Sequence, residues 1–342
     1  MGRKTKQNKI TSPELLAQVN KENLRLIDDF LAYLRSVQRS EETIAGYKSD
    51  LRIFFVWVLN NADNKTFCNI NKRDIARFQA YLDGENENSP SRIRRLKSAV
   101  SSLSLYVENM CEDIYPGFKN IVRKVENPAN APVRKKTIFD DSQIETLLNH
   151  FSEAGQHQKA CAVALAIFSG SRKGELPRYK VDYFADANIV FGSLYKTPET
   201  IKTKGRGKNG KQLNRYVLAS GFKPYFDAWM KQREELGIKS EWLLVSQNED
   251  GSYGPLGINT LNSWAETCSS VLGIDYYWHA GRHMFVSRLL RLGLPDSVVQ
   301  TIMGWSNAEM IRVYDDRPQD ETLGQYFKDG EIVAKSAKLT DL

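Results

Sequence analysis

Apolar residues recur every three to four positions across residues 23–110. Ile27, Phe30, Leu31 and Leu34 make one stripe, and Ile44, Tyr47, Leu51, Phe54, Phe55 and Val58 make a second. Ile75, Phe78 and Tyr81 form a shorter third stripe that ends near Gly84. Pro90 opens a fourth, whose apolar face is Leu96, Val100, Leu103 and Val107. This period predicts amphipathic helices, and four of them joined by short polar loops predict a small all-α domain over 21–112. The residues before it, 1–20, are polar and basic at the start and read as a flexible tail.

The pattern then breaks. Residues 113–137 hold Pro116, Pro128 and Pro132 followed by Arg134-Lys135-Lys136, and read as an extended basic linker. A second domain is predicted over 138–342. Helical spacing covers 142–151 and 157–168, and strands are expected over 181–184 and 189–195. Asn209-Gly210 suits the positive φ of a two-residue hairpin turn. Such a turn would pair Lys208 with Lys211 and set Lys204 opposite Arg215. Helices return at about 224–236, 257–272, 280–292 and 296–303. Ser306-Asn307-Ala308-Glu309 has the form of a capping box that opens a helix carrying Tyr314. The predicted fold class is therefore mainly α, with a small β-sheet and hairpin confined to the second domain.

Length and composition narrow the function. The 342 residues suit two domains, and 41% hydrophobic with 26% charged residues is ordinary for a globular chain. No apolar run is long enough to span a membrane, and the basic start Met1-Gly2-Arg3-Lys4 leads into no apolar secretory segment. Cys68, Cys111, Cys161 and Cys268 are scattered, as in a reducing cytoplasm, and the sparse histidines lack a metal-ligand pattern. No metal or other cofactor is expected. The net charge of +7 gathers in the N-terminal tail, at 92–97 and at 202–215, which suits a polyanionic partner. Arg92, Arg94, Arg95 and Lys97 sit near the start of the fourth helix, away from its apolar stripe. Alone they would be a solvated face; beside the second domain they read as a phosphate-tracking one.

Three groups of residues carry the chemistry. Ser169-Gly170-Ser171-Arg172-Lys173-Gly174-Glu175-Leu176 sets Arg172 where a turn is expected to lead into a helix, a suitable phosphate seat, with Glu175 placed to hold it by an ion pair. His279-Ala280-Gly281-Arg282-His283 puts His279 and Arg282 on one helical face, with His283 turned aside as a structural residue. Gly304-Trp305 precedes Tyr314 by nine residues. Each piece is common alone; the combination and its order are specific.

That combination resembles the tyrosine recombinase (phage integrase) family over roughly residues 140–320. Residues 23–110 resemble its helical core-binding (SAM-like) domain in pattern only. The resemblance implies a mixed α/β catalytic domain that closes with the helical one as a C-shaped clamp on DNA. It implies that Tyr314 attacks the scissile phosphate to form a 3′-phosphotyrosyl link and free a 5′-hydroxyl. Arg172 and Arg282 would bracket the non-bridging oxygens, and His279 would assist proton movement. Trp305 would donate its indole N–H where many members have histidine. A hairpin lysine would protonate the leaving 5′-oxygen: Lys204 is the first choice, with Lys202 and Lys196 open. Lys202, Arg206 and Lys208 would otherwise follow backbone phosphates. The expected partners are double-stranded recombination sites, a homotetramer assembled on DNA through a Holliday junction, and possible accessory DNA-bending or directionality factors. The C-terminal tail would dock on a neighbouring subunit, and the setting would be a nucleoid-associated cytoplasmic one. Alternatives sharing the chemistry or the fold are a type IB topoisomerase, a telomere resolvase, or a catalytically silent DNA-binding regulator.

Overall fold

The computed structural model describes residues 11–84, 88–129, 139–205, 210–315, 317–324, 326–328 and 331–332. They fall into two compact units, an all-helical one ending at 129 and a mixed one beginning at 139.

The helical unit comprises α1 (Pro13–Gln18), α2 (Lys21–Ser36), α3 (Glu41–Asn61), α4 (Lys72–Gly84) and α5 (Pro90–Met110). Ser12, Asn20, Ser40 and Ser89 each accept a backbone N–H at a helix start, a contact worth about 1 kcal/mol per cap. The stripes read from sequence pack inward. Leu31, Leu51, Phe54, Phe55, Phe78, Leu96 and Leu103 are buried, each apolar side chain contributing about 1.5–3 kcal/mol. Phe54 meets Phe78 edge-on at 5.0 Å and stacks with Trp57 at 6.3 Å.

Two expectations for this unit change. Part of the basic tail, Pro13–Gln18, is helix α1, because Ser12-Pro13 caps and starts it; residues 1–10 lie outside the described residues. The stretch 113–129, expected as an extended linker, is tied to the helices. Val122, in a short 3-10 turn (Val122–Lys124), is buried in their core, and the Lys97 ammonium donates to Val125 O and Glu126 O, both at 2.9 Å. The basic run at 134–136 lies outside the described residues.

In the second unit α6 (Asp141–Glu153) and α7 (His157–Ser169) lead into five short strands. These are β1 (Ile189–Val190), β2 (Leu194–Lys196), β3 (Ile201–Thr203), β4 (Lys211–Leu213) and β5 (Tyr216–Leu218). The antiparallel order is β1-β2-β5, with β3-β4 a separate ribbon. Next come α8 (Ala219–Glu235), the ribbon β6 (Val245–Gln247) and β7 (Tyr253–Pro255), and α9 (Ile258–Leu272). The site-bearing helices follow: α10 (Trp278–Arg291), α11 (Asp296–Met303) and α12 (Glu309–Tyr314). The described chain closes with α13 (Gln319–Gly324), β8 (Phe327–Lys328) and β9 (Glu331–Ile332).

Helix α7 is the axis of this unit. It is apolar on every side, with each residue from Ala160 to Ser169 buried, and α6, α8 and α10 pack around it. Alanines at 160, 162, 164 and 166 keep it thin. Where α10 crosses, Gly281 lies so close that a Cβ there would sit 3.2 Å from Ala166 O.

Several local expectations are corrected here. Residues 181–184 form a 3-10 turn (Val181–Phe184) that buries the adjacent Tyr183 and Phe184, which an alternating strand cannot do. The expected strand 189–195 is interrupted by a turn at Phe191 (φ 53) and Gly192 (φ 68). Helix α8 begins at Ala219, with Pro224 inside it. The hairpin register also differs: Thr203 pairs with Lys211, so Lys204 does not face Arg215, and Lys208 and Asn209 of the expected turn lie outside the described residues. The capping box at 306–309 does not form. Ala308 is the cap residue, in αR, and Asn307 Oδ1 instead accepts from Glu309 N at 2.9 Å.

Lys97 is turned inward as well, only 3% exposed, which removes it from the phosphate-tracking face expected of it. Its ammonium also donates to Gln79 Oε1 at 2.8 Å. Lys97→Ala leaves buried acceptors unmatched, and should lower the stability of the helical unit by about 2 kcal/mol in chemical denaturation. The slope of DNA affinity against log salt concentration should not change; a drop of about one unit would return Lys97 to the phosphate contacts.

Candidate active site

The site grows from the C-terminal end of α7. Gly170 closes that helix in the left-handed conformation (φ 58), where a side chain would be strained and its Cβ would sit 2.7 Å from Phe285. The next turn is fixed by a buried polar chain, with Ser169 Oγ 2.8 Å from Ser171 Oγ and Ser171 Oγ 2.6 Å from Tyr179 Oη. Arg172 follows on this turn. Residues 171–175 are not helical, so the expected seat at a helix N-terminus is replaced by a turn after a helix C-terminus. Glu175, buried, holds Arg172 twice: Oε2 accepts the backbone N–H at 3.2 Å and Oε1 accepts from Nη1 at 3.1 Å. The expected ion pair is present, and the Arg172 side chain stays 28% exposed.

Helix α10 brings the second arginine. Arg282 is fully buried, and its Nη1 donates to Gly170 O at 2.7 Å. Its Nε and Nη2, and the indole Nε1 of Trp305, are buried and find no acceptor among the described residues. Burial, then the nearby charges of Arg172 and Arg215, push Arg282 down to about 10, with Glu175 and Tyr314 acting the other way. It therefore carries its charge at neutral pH.

One turn before it, His279 is half-buried, and its Nε2 lies 2.9 Å from Tyr314 Oη. Burial and then the charges of Arg282, Arg172 and Lys204 push this imidazole down to about 4, with Glu175 opposing. The ring is neutral at pH 7, and in its Nδ1–H tautomer Nε2 accepts the phenol hydrogen. Tyr314 ends α12 with its ring buried, stacked on Trp305 at 4.9 Å and 4.5 Å from the ring of His283. The Arg282 guanidinium lies 5.3 Å from the Trp305 ring and 5.6 Å from the Tyr314 ring.

Arg172, His279, Arg282, Trp305 and Tyr314, some 140 residues apart in sequence at the extremes, thus surround one point. Lys204 is exposed on the connection after β3, within electrostatic reach of His279. Lys202 and Lys196 are exposed on β3 and β2. Arg206 and Lys208 lie outside the described residues. On α5, Arg92 and Arg95 share the buried Asp50 carboxylate at 2.8 and 3.1 Å, and Arg94 donates to Pro128 O at 3.2 Å. Among the described residues no cluster of histidine, cysteine and acidic side chains is placed to hold a metal ion.

Sequence reasoning passed over Arg215 as anything but a strand-pair neighbour. It is 1% exposed, with Nε 3.5 Å from Glu175 Oε2. The available signal is alternation: Arg215 stands two residues before the buried Val217, on the same side of an extended segment. Lys211 was also unassigned to the site, and its ammonium donates to Gly304 O at 2.9 Å, beside Trp305.

A model of the phage integrase family matches residues 137–320, and one of the phage integrase N-terminal SAM-like domain matches 26–115. The SPbeta prophage-derived recombinase-like protein YomM of Bacillus subtilis (strain 168) is 30% identical over 274 residues, 78% of this chain and 77% of that protein. A tyrosine recombinase of Thermosipho africanus (strain TCF52B) is 22% identical over 297 residues, 85% of this chain and 93% of the other. The solved structure of XerH site-specific recombinase bound to difH substrate in a pre-cleavage complex shares the fold. Its TM-score is 0.63 at 18% identity, covering 90% of this chain and 96% of that one. No described helix is long and apolar enough to cross a membrane. With one family model spanning every residue of the arginine–histidine–tyrosine site, the chain belongs to the phage integrase family and is a DNA strand transferase of the tyrosine recombinase type.

Proposed function

We propose that this protein recombines specific DNA sites, with Tyr314 as nucleophile. The observation that carries the reading is the set of buried donors without acceptors, Arg282 Nε and Nη2 and Trp305 Nε1, beside the Tyr314 ring. An unmatched buried donor costs about 1–3 kcal/mol, and a phosphate diester offers the oxygens that would satisfy these. Arg172, held by Glu175, supplies a second charged fork for the same group.

The steps balance without an external energy source. Tyr314 Oη attacks phosphorus as His279 Nε2 takes its proton. The Oη–P bond forms while the P–O5′ bond breaks, and Lys204 gives a proton to the leaving 5′-oxygen. Arg172, Arg282 and Trp305 hold the non-bridging oxygens as their charge rises, a form of stabilisation commonly worth about 3–4 kcal/mol per donor. The 3′-phosphotyrosyl link keeps the energy of the phosphodiester, so a 5′-hydroxyl from another strand can reverse the reaction and release Tyr314. Two such exchanges between paired sites require four copies of the chain on a Holliday junction. The segment after Arg317, which includes α13, is the part of the chain we assign to docking on a neighbouring copy. Arg92, Arg94 and Arg95 are assigned to phosphates of the site, with Asp50 fixing the first and last of them.

A nicked duplex recovered from a random pool by binding to the protein should trap a covalent protein–DNA adduct with the unaltered chain. Tyr314→Phe should bind that duplex equally and give none; an adduct from the variant would dismiss Tyr314 as nucleophile. Truncation after Arg317 should leave adduct formation on one half-site and abolish strand exchange, and a truncated protein that still recombines would refute the docking role.

The pH dependence follows from His279. Its pKa in the fold is about 4, below the 6.5 of a free imidazole, so the neutral ring is available for proton uptake until the pH approaches 4. In the DNA-free protein the His279 imidazole should therefore show no NMR titration step near pH 6.5 and titrate only near pH 4; a step at 6.5 would mean His279 is not held as described. The matching stability contribution is complete above pH 6.5 and is lost as the pH falls from 6.5 to 4, because the unfolded chain binds the proton first.

A further inference from the structure

We propose that Arg215 is a positioning residue for strand transfer, a side chain that never touches DNA and sets both halves of the phosphate seat at once. The proposal rests on the recombinase reading of the site and names a residue that the catalytic set does not contain.

Arg215 stands between β4 and β5 and is locked at its backbone. Its N–H donates to Thr197 Oγ1 at 3.0 Å, and its carbonyl accepts from Thr197 N at 3.0 Å. With 1% of its surface exposed it cannot meet a phosphate itself. Its guanidinium instead reaches in three directions. Nη2 donates to Ser169 O at 3.4 Å, at the end of α7; Nη1 donates to Met303 O at 3.3 Å, two residues before Trp305; Nε lies 3.5 Å from Glu175 Oε2. The first and third contacts set the turn and the carboxylate that grip Arg172. The second, with the Lys211–Gly304 bond beside it, sets the turn that delivers Trp305 over Tyr314.

Charge and shape both single out arginine. A planar fork can serve three acceptors in different directions, whereas an ammonium at the same depth serves a smaller neighbourhood. Burying a third guanidinium next to Arg172 and Arg282 works against stability, since like charges repel and desolvation is costly. An apolar side chain of equal volume would hold the strand with less penalty. What such a side chain could not do is orient Glu175 and the Met303 carbonyl relative to each other. Arg215 also keeps positive potential behind the two phosphate-facing arginines, where the transition state gains negative charge.

The test uses the full chain and the nicked duplex described above, and measures the single-turnover cleavage rate at saturating DNA, the DNA affinity and the melting temperature. Arg215→Met should lower the rate by about 10- to 100-fold, the usual scale for a group that orients a catalytic one, with affinity unchanged. Adding Glu175→Gln to it should lower the rate little further, because both act through one link to Arg172. Arg215→Lys, which keeps charge and loses the fork, should fall between. A wild-type rate for folded Arg215→Met overturns the proposal, as does a rate that returns fully when the assay is cooled below the variant's melting range. If Arg215→Met does not fold, Arg215→Lys decides: reduced cleavage at intact affinity supports the role, and an unchanged rate removes it. Absence of any adduct from the unaltered protein would instead overturn the strand-transfer reading, and this one with it.

Discussion

Three guanidiniums are packed around one carboxylate at the end of helix α7. Arg172 and Arg215 both approach Glu175, and Arg282 approaches Gly170 O, while Arg215 approaches Ser169 O on the same helix end. Burial first, and then repulsion from Arg172 and Arg215, hold the pKa of Arg282 below its ordinary value. Two features offset it. The carbonyls at a helix C-terminus carry partial negative charge, and α7 ends with its dipole directed at the arginines. Arg282 Nε and Nη2 and Trp305 Nε1 are left without an acceptor among the described residues. Burying such donors unmatched costs stability, a local conflict of the kind that gathers at functional sites.

The rest of the catalytic unit serves that arrangement. A thin, fully buried α7 lets α10 cross at Gly281, which brings Arg282 within 2.7 Å of Gly170 O. The same crossing places His279 one turn earlier, at the mouth, where it meets Tyr314 from α12. The cluster of positive charge then acts on the histidine. A free imidazole would be partly protonated at neutral pH; burial first, and then the charges of Arg282, Arg172 and Lys204, keep this one neutral and able to accept a proton.

The helical unit shows how similar residues on one helix divide between structure and surface. Along α5, Lys97 points inward and fastens the segment 125–126, while Arg92 and Arg95 are braced by Asp50. Bracing two long side chains on one buried carboxylate reduces the entropy they would lose on meeting a phosphate. Charge counted from sequence cannot separate these uses, because it does not record which face each residue takes.

Much of the fold was legible in the chain. The helical stripes and their capping serines are local, since a period of 3.6 residues and an N-cap are written in consecutive positions, and α2 to α5 follow them. The candidate site residues were proposed from order and spacing through family resemblance, and the fold brings His279, Arg282, Trp305 and Tyr314 together. Short-range signals failed where partners are distant. The Asn209-Gly210 pair suggested a tight turn with Lys208 opposite Lys211, yet Lys211 pairs with Thr203 and its ammonium reaches Gly304 O, far along the chain. Ser306 to Glu309 matched a capping box, but Asn307 reached the helix first. By itself the sequence determined which helices form and what class of polymer the chain acts on, because those depend on periodicity and residue type. Only the tertiary structure decided that Lys97 faces inward, that Arg215 is buried against Glu175, and that His279 is neutral. Each of these depends on burial and on charges brought together from distant parts of the chain.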